Sequence, residues 1–171
     1  HTAGHMSTPR IDLHLHSTAS AGEYSPAEVV RRAAAAGISI LSLTDHDTLA
    51  GVREAIEAGH RVGVRIIAGC EFSVAGPGGE MHLLGYFLPD GDPILASFLE
   101  DQRRNRLSRL EEIVRTLRNR GVHIDSAEVV ESARGGAVGR PHIARVLTLH
   151  GFAINVADAF ERYIGYGRPA F

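Results

Sequence analysis

Short apolar segments alternate with helix-forming segments along the first ninety residues. The apolar segments predict four strands, at residues 10–15, 38–43, 64–70 and 81–88. Helical patterns separate the first three strands, and helices between consecutive strands predict parallel pairing and an α/β fold. The glycine-rich run at 75–79 is too short for a helical crossover, so the last two strands are expected to form a hairpin.

Capping residues predict the ends of the two helices between these strands. The first helix is expected to run from Ser25, a good N-cap, to Gly37. The second is expected to begin at Asp47 or Thr48 and to end near Gly59.

The pattern changes after residue 89, where apolar residues recur at helical spacing and no further strand is predicted. Helices are expected to begin near residues 92, 125, 141 and 155. We therefore interpret residues 6–92 as an α/β unit and residues 93–171 as a helical module attached to it.

Composition narrows the class of protein. The chain has 171 residues and a formal net charge of −2, which argues against general binding to duplex DNA. Cys70 is the single cysteine, so no internal disulfide can form, and a reducing, cytoplasmic location is expected. No apolar run is long enough for a membrane span, and the N-terminus lacks the apolar core of a signal peptide. Residues 1–5 are interpreted as an expression-tag remnant before Met6.

The first strand carries the strongest chemical signal. In an extended chain alternate side chains share a face, so Asp12, His14 and His16 are expected to lie on one side. The apolar residues between them would lie on the other, which indicates a buried strand. Two imidazoles two residues apart on a strand can both reach one metal ion. Alone, this short motif is a weak signal.

Further ligand-type residues follow the later strands. Asp45 and His46 come after the second strand, Glu71 ends the third, and His82 begins the fourth. Sites gather at the carboxyl ends of parallel strands, and His82 fits this rule if its strand is antiparallel. Separately, Asp45 and Asp47 could sit in a solvated turn or cap a helix, and Glu71 could pair with an arginine. Together these residues predict a multinuclear metal site, and imidazole with carboxylate favours Mn, Zn or Fe.

Four ordered motifs and one helical motif resemble those of the PHP (polymerase and histidinol phosphatase) family. They read DLHLHS at 12–17, LTDHDT at 43–48, GCEFS at 69–73, HLLGYF at 82–87 and GRPHIA at 139–144. The resemblance covers nearly all of residues 10–171. The branch that it resembles contains nucleoside 3',5'-bisphosphate phosphatases and 5'-3' exoribonucleases of short RNA. It implies the first part of a distorted (β/α)7 TIM-like barrel with a helical insertion.

The resemblance also implies roles for the candidate ligands. His14, His16 and Glu71 would hold one metal, and Glu71 would bridge to a second metal bound by His82. His46 would belong to a third. Asp12 and Asp45 would orient histidines. Two or three divalent ions are implied, manganese first and zinc or iron as alternatives, with a metal-bridging hydroxide as the attacking group.

This chain departs from the family pattern in two places. Ala21 stands where the family usually has an aspartate ligand of the third metal, and Glu23 lies two residues away. The His-Pro and Asp-x-His motifs of later barrel strands do not occur after residue 90. An open half-barrel is therefore expected, with exposed edges and apolar surface. We expect a further segment, supplied in cis or by another chain.

Substrate contacts are expected from the helical module. Arg140 and His142 begin a helix, where a phosphate can bind, although an exposed arginine and a capping histidine would look the same in sequence. Arg103 and Arg106, three residues apart, could share a face and point into the site, although a solvated face is the usual explanation. The expected substrate is a small phosphorylated nucleotide or a short RNA. Histidinol-phosphate hydrolysis and a non-catalytic binding module remain alternatives.

Overall fold

The computed structural model describes residues 8–77 and 79–171. Its described strands form one mixed sheet in the order β1-β2-β3-β4. The strands are β1 (Arg10–Leu15), β2 (Ile38–Leu43), β3 (Arg65–Gly76) and β4 (Gly79–Tyr86). The first two pairs are parallel and β3–β4 is an antiparallel hairpin, which confirms the α/β prediction and the predicted hairpin.

Two helices connect the parallel strands and pack against the sheet. They are α1 (Pro26–Ala35) and α2 (Val52–Val62). Ser25 caps α1 as predicted, since its hydroxyl accepts a hydrogen bond from the Glu28 amide. The helices and strands bury an apolar cluster of Val29, Val30, Leu41, Leu43, Ala55, Ala58 and Val64.

The predicted ends of α2 were wrong. Asp47 does not begin the helix: it has a positive φ of 49°, and its carboxylate accepts a hydrogen bond from the Ser73 amide. The helix also continues past Gly59 to Gly63, whose left-handed backbone (φ 76°) ends it. Gly59 instead allows a close approach, because a Cβ there would lie 2.5 Å from the Val64 carbonyl oxygen.

The remaining helices form a second packed unit. They are α3 (Pro93–Arg118), α4 (Ser126–Ser132), α5 (Arg140–Leu149) and α6 (Val156–Ala159), and α6 continues into a π-helical turn, Phe160–Ile164. Their apolar faces bury a separate cluster that includes Leu110, Leu117, Val129, Ile143, Leu147 and Ile164. Within the described ranges, no helix is both long and apolar enough to cross a bilayer.

The prediction that the first strand is buried was wrong. β1 pairs with β2 alone and lies at an edge of the described sheet, where Ile11 is 53% exposed. The other edge strand, β4, leaves Leu83 60% exposed. The alternation of apolar and polar residues therefore identified these strands but did not predict how exposed they are. The exposed sheet edges and apolar surface that we expected of a half-barrel are observed.

Candidate active site

Four imidazoles surround the carboxylate of Glu71, which is only 5% exposed. Glu71 Oε2 lies 2.8 Å from His14 Nε2, 3.0 Å from His16 Nε2 and 3.7 Å from His46 Nδ1. Glu71 Oε1 lies 2.8 Å from His82 Nδ1. All five side chains that the motifs single out as metal ligands thus meet at one point.

Strand order explains this convergence. His14 and His16 lie at the carboxyl end of β1 and just beyond it, and His46 follows β2 and forms a parallel bridge with Glu71. His82 reaches the same place from β4, where it pairs with Ser73, two residues beyond Glu71. Because β4 runs antiparallel, the start of that strand lies at the same edge as the ends of the others.

The donor set fits divalent cations. Two groups of ligand atoms, from His14, His16 and Glu71 and from His46, Glu71 and His82, each lie within 4.8 Å of one another. The Nδ1 atoms of His16 and His46 are buried and have no hydrogen-bond partner in the described part of the chain. His16 Nε2 also faces His14 Nε2 at 3.2 Å. A cation satisfies such converging lone pairs, and nitrogen and carboxylate donors suit Mn, Zn or Fe.

Electrostatics favour the protonation states that bind metal. Burial, together with the nearby Arg106, lowers the pKa of His46 to about 4. Burial also lowers the pKa of His16, against the opposing effect of Glu71. Burial alone would raise the pKa of Glu71, but the hydrogen bond from His14 and the neighbouring imidazoles lower it overall. Neutral imidazole and ionised carboxylate are the ligand forms.

The two aspartates act on backbone and hydroxyl groups near the histidines. Asp45 is buried and accepts hydrogen bonds from the Ser17 amide and hydroxyl and from the Ser20 hydroxyl. Asp12 accepts a hydrogen bond from the His14 amide. Neither carboxylate accepts one from an imidazole within residues 8–77 and 79–171. Asp45 thus holds the loop after His16 in place through the Ser17 amide and the Ser17 and Ser20 hydroxyls.

Sequence reasoning missed the role of Asp47. Its buried carboxylate accepts a hydrogen bond from Arg106 Nε at 2.6 Å. Arg106 also donates to the Ser73 hydroxyl and the Val138 carbonyl oxygen. These contacts fasten α3 to the loop that carries His46. The only sequence signals for this pair are an aspartate after a predicted strand and an arginine on a helix far along the chain.

Arg103 lies elsewhere, contrary to the expectation that it points into the site with Arg106. It is exposed and lines a different cavity with Leu107 and Gly135. Residues three apart on a helix differ by about 60° around the axis, which is enough to separate them here.

The two residues at the start of α5 point in different directions. Arg140 lines a cavity of about 160 Å³ that His46 and His82 also line. His142 is 1% exposed, and its Nδ1 accepts a hydrogen bond from the Gly139 amide, as a capping residue does. Burial lowers the pKa of His142, and Arg145 adds to this effect. The expected substrate contact by His142 is therefore replaced by the capping alternative.

Ala21 lines the cavity of His46 and His82, and its methyl group offers no donor atom there. Glu23 does not replace it: this residue is exposed and lines another cavity, with His142 and Arg145.

Comparison with known proteins agrees with this geometry. The profile of the PHP domain matches residues 12–131, which include all five candidate ligands. The chain belongs to the PHP domain family. It is 39% identical over 164 residues to a 5'-3' exoribonuclease of Haemophilus influenzae, covering 96% of this chain and 60% of the relative. It is 32% identical over 169 residues to a 3',5'-nucleoside bisphosphate phosphatase of Chromobacterium violaceum, covering 94% and 57%.

Solved structures extend the likeness to the fold. An amidohydrolase of Chromobacterium violaceum, solved with sulfate and no metal, matches with a TM-score of 0.84 at 32% identity, over 95% of this chain and 57% of its own. A protein of Bifidobacterium adolescentis that is described as a metal-dependent phosphoesterase matches with a TM-score of 0.87 at 26% identity, over 96% of this chain and 58% of its own. The chain therefore spans about three-fifths of the length of these relatives.

Proposed function

We propose that the chain works as a metal-dependent phosphoesterase acting on a small phosphorylated nucleotide or the end of a short RNA. One observation carries the proposal: the Glu71 carboxylate, surrounded by four imidazoles, lies beside a cavity lined by arginine. The names of the PHP relatives, an exoribonuclease and a nucleoside bisphosphate phosphatase, support the same substrate class.

The two ligand groups support the first two metal-binding roles that the resemblance implies. We assign His14, His16 and Glu71 to one ion and Glu71 with His82 to a second. The assignment of His46 to a third ion rests on the resemblance alone, because its ligand atom lies close to those of Glu71 and His82. Manganese is the proposed metal, with zinc and iron as competitors to be tested. Bound divalent ions in such a site polarise a phosphoryl oxygen and lower the pKa of water.

Arg140 is the proposed contact for the phosphate that is hydrolysed. It lines the same cavity as His46 and His82, and a guanidinium can bind two phosphate oxygens at once. Arg106 lines this cavity as well, but three of its nitrogens already donate to protein groups. We therefore assign Arg106 to positioning the loop of His46, and we leave substrate binding to Arg140.

Side-by-side assays test the proposal. Manganese-loaded protein is incubated with adenosine 3',5'-bisphosphate, a short RNA and histidinol phosphate, and Glu71→Gln serves as the inactive control. We expect metal-dependent phosphate release from the nucleotide or nucleotide release from the RNA, and little from histidinol phosphate. Preferred hydrolysis of histidinol phosphate would refute the substrate class, and no hydrolysis of any substrate by either this chain or Ala21→Asp would refute the enzyme proposal.

Ala21 favours a second candidate, a non-catalytic nucleotide-binding module. A cavity that lacks one carboxylate donor can bind ligand without turning it over. This candidate predicts nucleotide binding without hydrolysis in both the natural chain and Ala21→Asp. The enzyme proposal predicts instead that Ala21→Asp binds an additional ion and retains or gains hydrolysis, and metal analysis with the same assay separates the two.

A further inference from the structure

A second cavity lies against the loop that carries Ala21. Ser20 and Gly22 line it, whereas Ala21, between them, lines the cavity of the candidate metal centre, so this loop separates the two cavities. Arg134 and Arg145 also line the second cavity, which we call the loop cavity. Its volume is about 330 Å³, against about 160 Å³ for the cavity of the metal centre, and small-molecule sites occupy roughly 300–1,000 Å³. Nothing in the proposed function uses the loop cavity.

The two loops that form its walls are held against each other by backbone contacts. The Ala137 amide donates a hydrogen bond to the Ala19 carbonyl oxygen at 2.8 Å. Gly136 allows this approach, because a Cβ there would lie 2.6 Å from the Thr18 carbonyl oxygen. The walls of the loop cavity are therefore fixed relative to each other, and a preformed site loses less affinity to ordering when a ligand binds.

Three charged side chains line the loop cavity, and none of them has a charged partner in the described part of the chain. Glu23 and Arg134 make neither an ion pair nor a side-chain hydrogen bond there. Arg145 donates from one nitrogen to the Ala21 carbonyl oxygen, which leaves most of its five N–H donors available. The loop cavity thus presents two positive groups and one negative group to a ligand.

The backbone at Arg134 is unusual. Its φ is 49°, a left-handed conformation that few non-glycine residues adopt, and the next residue, Gly135, is also left-handed with a φ of 83°. Strained residues of this kind cluster at ligand sites, where the surrounding structure holds them in place. The guanidinium that this turn carries lines the loop cavity.

The uncharged groups of the lining ask for a ligand that donates hydrogen bonds. The Ser20 hydroxyl already donates to Asp45, and the Ser132 hydroxyl donates to the Val129 carbonyl oxygen. Each hydroxyl has one hydrogen, so both offer only lone pairs to a ligand, as does the Glu23 carboxylate. A simple inorganic anion would satisfy the two arginines and leave these acceptors unused.

We propose that the loop cavity binds a small amino-dicarboxylate, a compound with two carboxylates and one ammonium group. Its carboxylates pair with Arg134 and Arg145, and its ammonium group donates to Glu23. The charges of this class of ligand are the complement of the three charges in the cavity. The site needs neither a metal ion nor hydrolysis, so the inference is independent of the proposed function.

Calorimetric titration of the natural chain tests the site. L-Glutamate and L-aspartate are the probes, and glutarate, which keeps two carboxylates but lacks the ammonium group, is the matched comparison. We expect saturable binding of an amino-dicarboxylate, tighter than that of glutarate by about tenfold, the effect of one charge-assisted hydrogen bond. An equal concentration of inorganic phosphate should not displace it.

Two variants assign the contacts. Arg134→Gln should weaken binding of L-glutamate by at least about tenfold. Glu23→Gln should bring L-glutamate and glutarate to within about threefold of each other, because it removes the group that recognises the ammonium. Both residues lack partners in the described part of the chain, so neither change removes a contact of the folded protein. Arg120→Gln, at an exposed position outside the loop cavity, is the matched control and should bind as the natural chain does.

Three results would overturn the site. The first is the absence of saturable binding of both amino-dicarboxylates to the natural chain. The second is undiminished binding in Arg134→Gln, with urea unfolding showing that the variant is folded. The third is displacement of L-glutamate by an equal concentration of inorganic phosphate, which would reduce the loop cavity to a general anion site.

Discussion

Glu71 connects the candidate ligands at the scale of single residues. Its Oε2 accepts a hydrogen bond from His14 and lies beside His16, and its Oε1 lies beside His82. A buried carboxylate with this many partners is held in one orientation, which is the orientation a shared metal ligand requires. The same residue therefore holds the imidazoles together and presents its oxygens to a cation.

Replacing Glu71 with glutamine should remove metal binding. The glutamine amide keeps the shape of the side chain but loses the charge that both ligand groups share. Even replacing a residue that only contacts a metal ligand lowers metal affinity or activity by about 10–100-fold. We expect a loss of at least about 100-fold in metal affinity and in hydrolysis, measured by elemental analysis after dialysis and by phosphate release. Glu57→Gln, at an exposed position on α2, is the matched control. A full complement of metal in Glu71→Gln would contradict the assignment.

His142 should make stability depend on pH. The pKa of His142 in the folded chain lies below the ordinary value of 6.5. Between these two pKa values, the imidazole is mostly protonated in the unfolded chain and mostly neutral in the folded chain. The free energy of unfolding should therefore fall as the pH drops through 6.5 towards the lowered folded pKa, and this contribution should level off below it. Protonation also removes the Nδ1 lone pair that accepts from Gly139.

His142→Gln isolates this contribution. Glutamine at the third helical position can accept the same Gly139 hydrogen bond and does not titrate. We expect stability at pH 7.5 to change by less than about 1 kcal/mol, the size of one ordinary hydrogen bond. Urea unfolding of metal-free protein between pH 7.5 and 5 should give a shallower pH dependence than the natural chain. An unchanged slope would show that His142 is not the titrating group.

At the scale of elements, the contact between α3 and the loop after β2 joins the helical module to the metal centre. Arg106 is the residue on the helix side, and Asp47 and Ser73 are its partners on the sheet side. Because Asp47 follows His46 directly, movement of α3 would be transmitted to a candidate ligand.

Arg106→Gln should destabilise the protein strongly. It leaves the buried Asp47 carboxylate without its charged partner, and breaking a buried pair in this way costs about 3–5 kcal/mol. The double variant Asp47→Asn/Arg106→Gln should lose less than the sum of the two single changes, as measured by urea unfolding of all four proteins. Additive losses would mean that the two groups do not act as a pair.

Local signals predicted some elements well and others poorly. β2 was predicted at its observed bounds, because its apolar residues begin directly after Gly37, where the preceding helix was expected to stop. The start of α2 was misplaced because Asp47 looks like a helix cap, whereas its partners lie on β3 and α3. A helix cap can be predicted from neighbouring residues, but an ion pair between residues far apart in sequence cannot, because it depends on the fold.

At the scale of the whole molecule, two separate apolar clusters support a half-open sheet and a helical module. The convergence of ligands could be predicted, since alternation and strand order alone bring His14, His46 and Glu71 to one edge. The arginines beside this site could not be predicted, because Arg106 and Arg140 lie 34 residues apart on helices whose packing no local pattern specifies.

The exposed edge strands should cause self-association of this chain. Leu83 is 60% exposed on β4, and apolar edge strands pair with other edges. Leu83→Lys should weaken self-association by roughly tenfold, which corresponds to about 1.4 kcal/mol of lost apolar contact. Sedimentation velocity over a concentration series measures this, with Leu149→Lys, exposed on α5, as the control. Equal association in both variants would place the contact elsewhere.

Anomalous X-ray diffraction from crystals of manganese-soaked protein tests the central claim most directly. Data collected above and below the manganese absorption edge should give anomalous peaks within bonding distance of Glu71 and of the imidazoles of His14, His16 and His82. Crystals that show no peak around Glu71 at saturating manganese, zinc or iron would contradict the account.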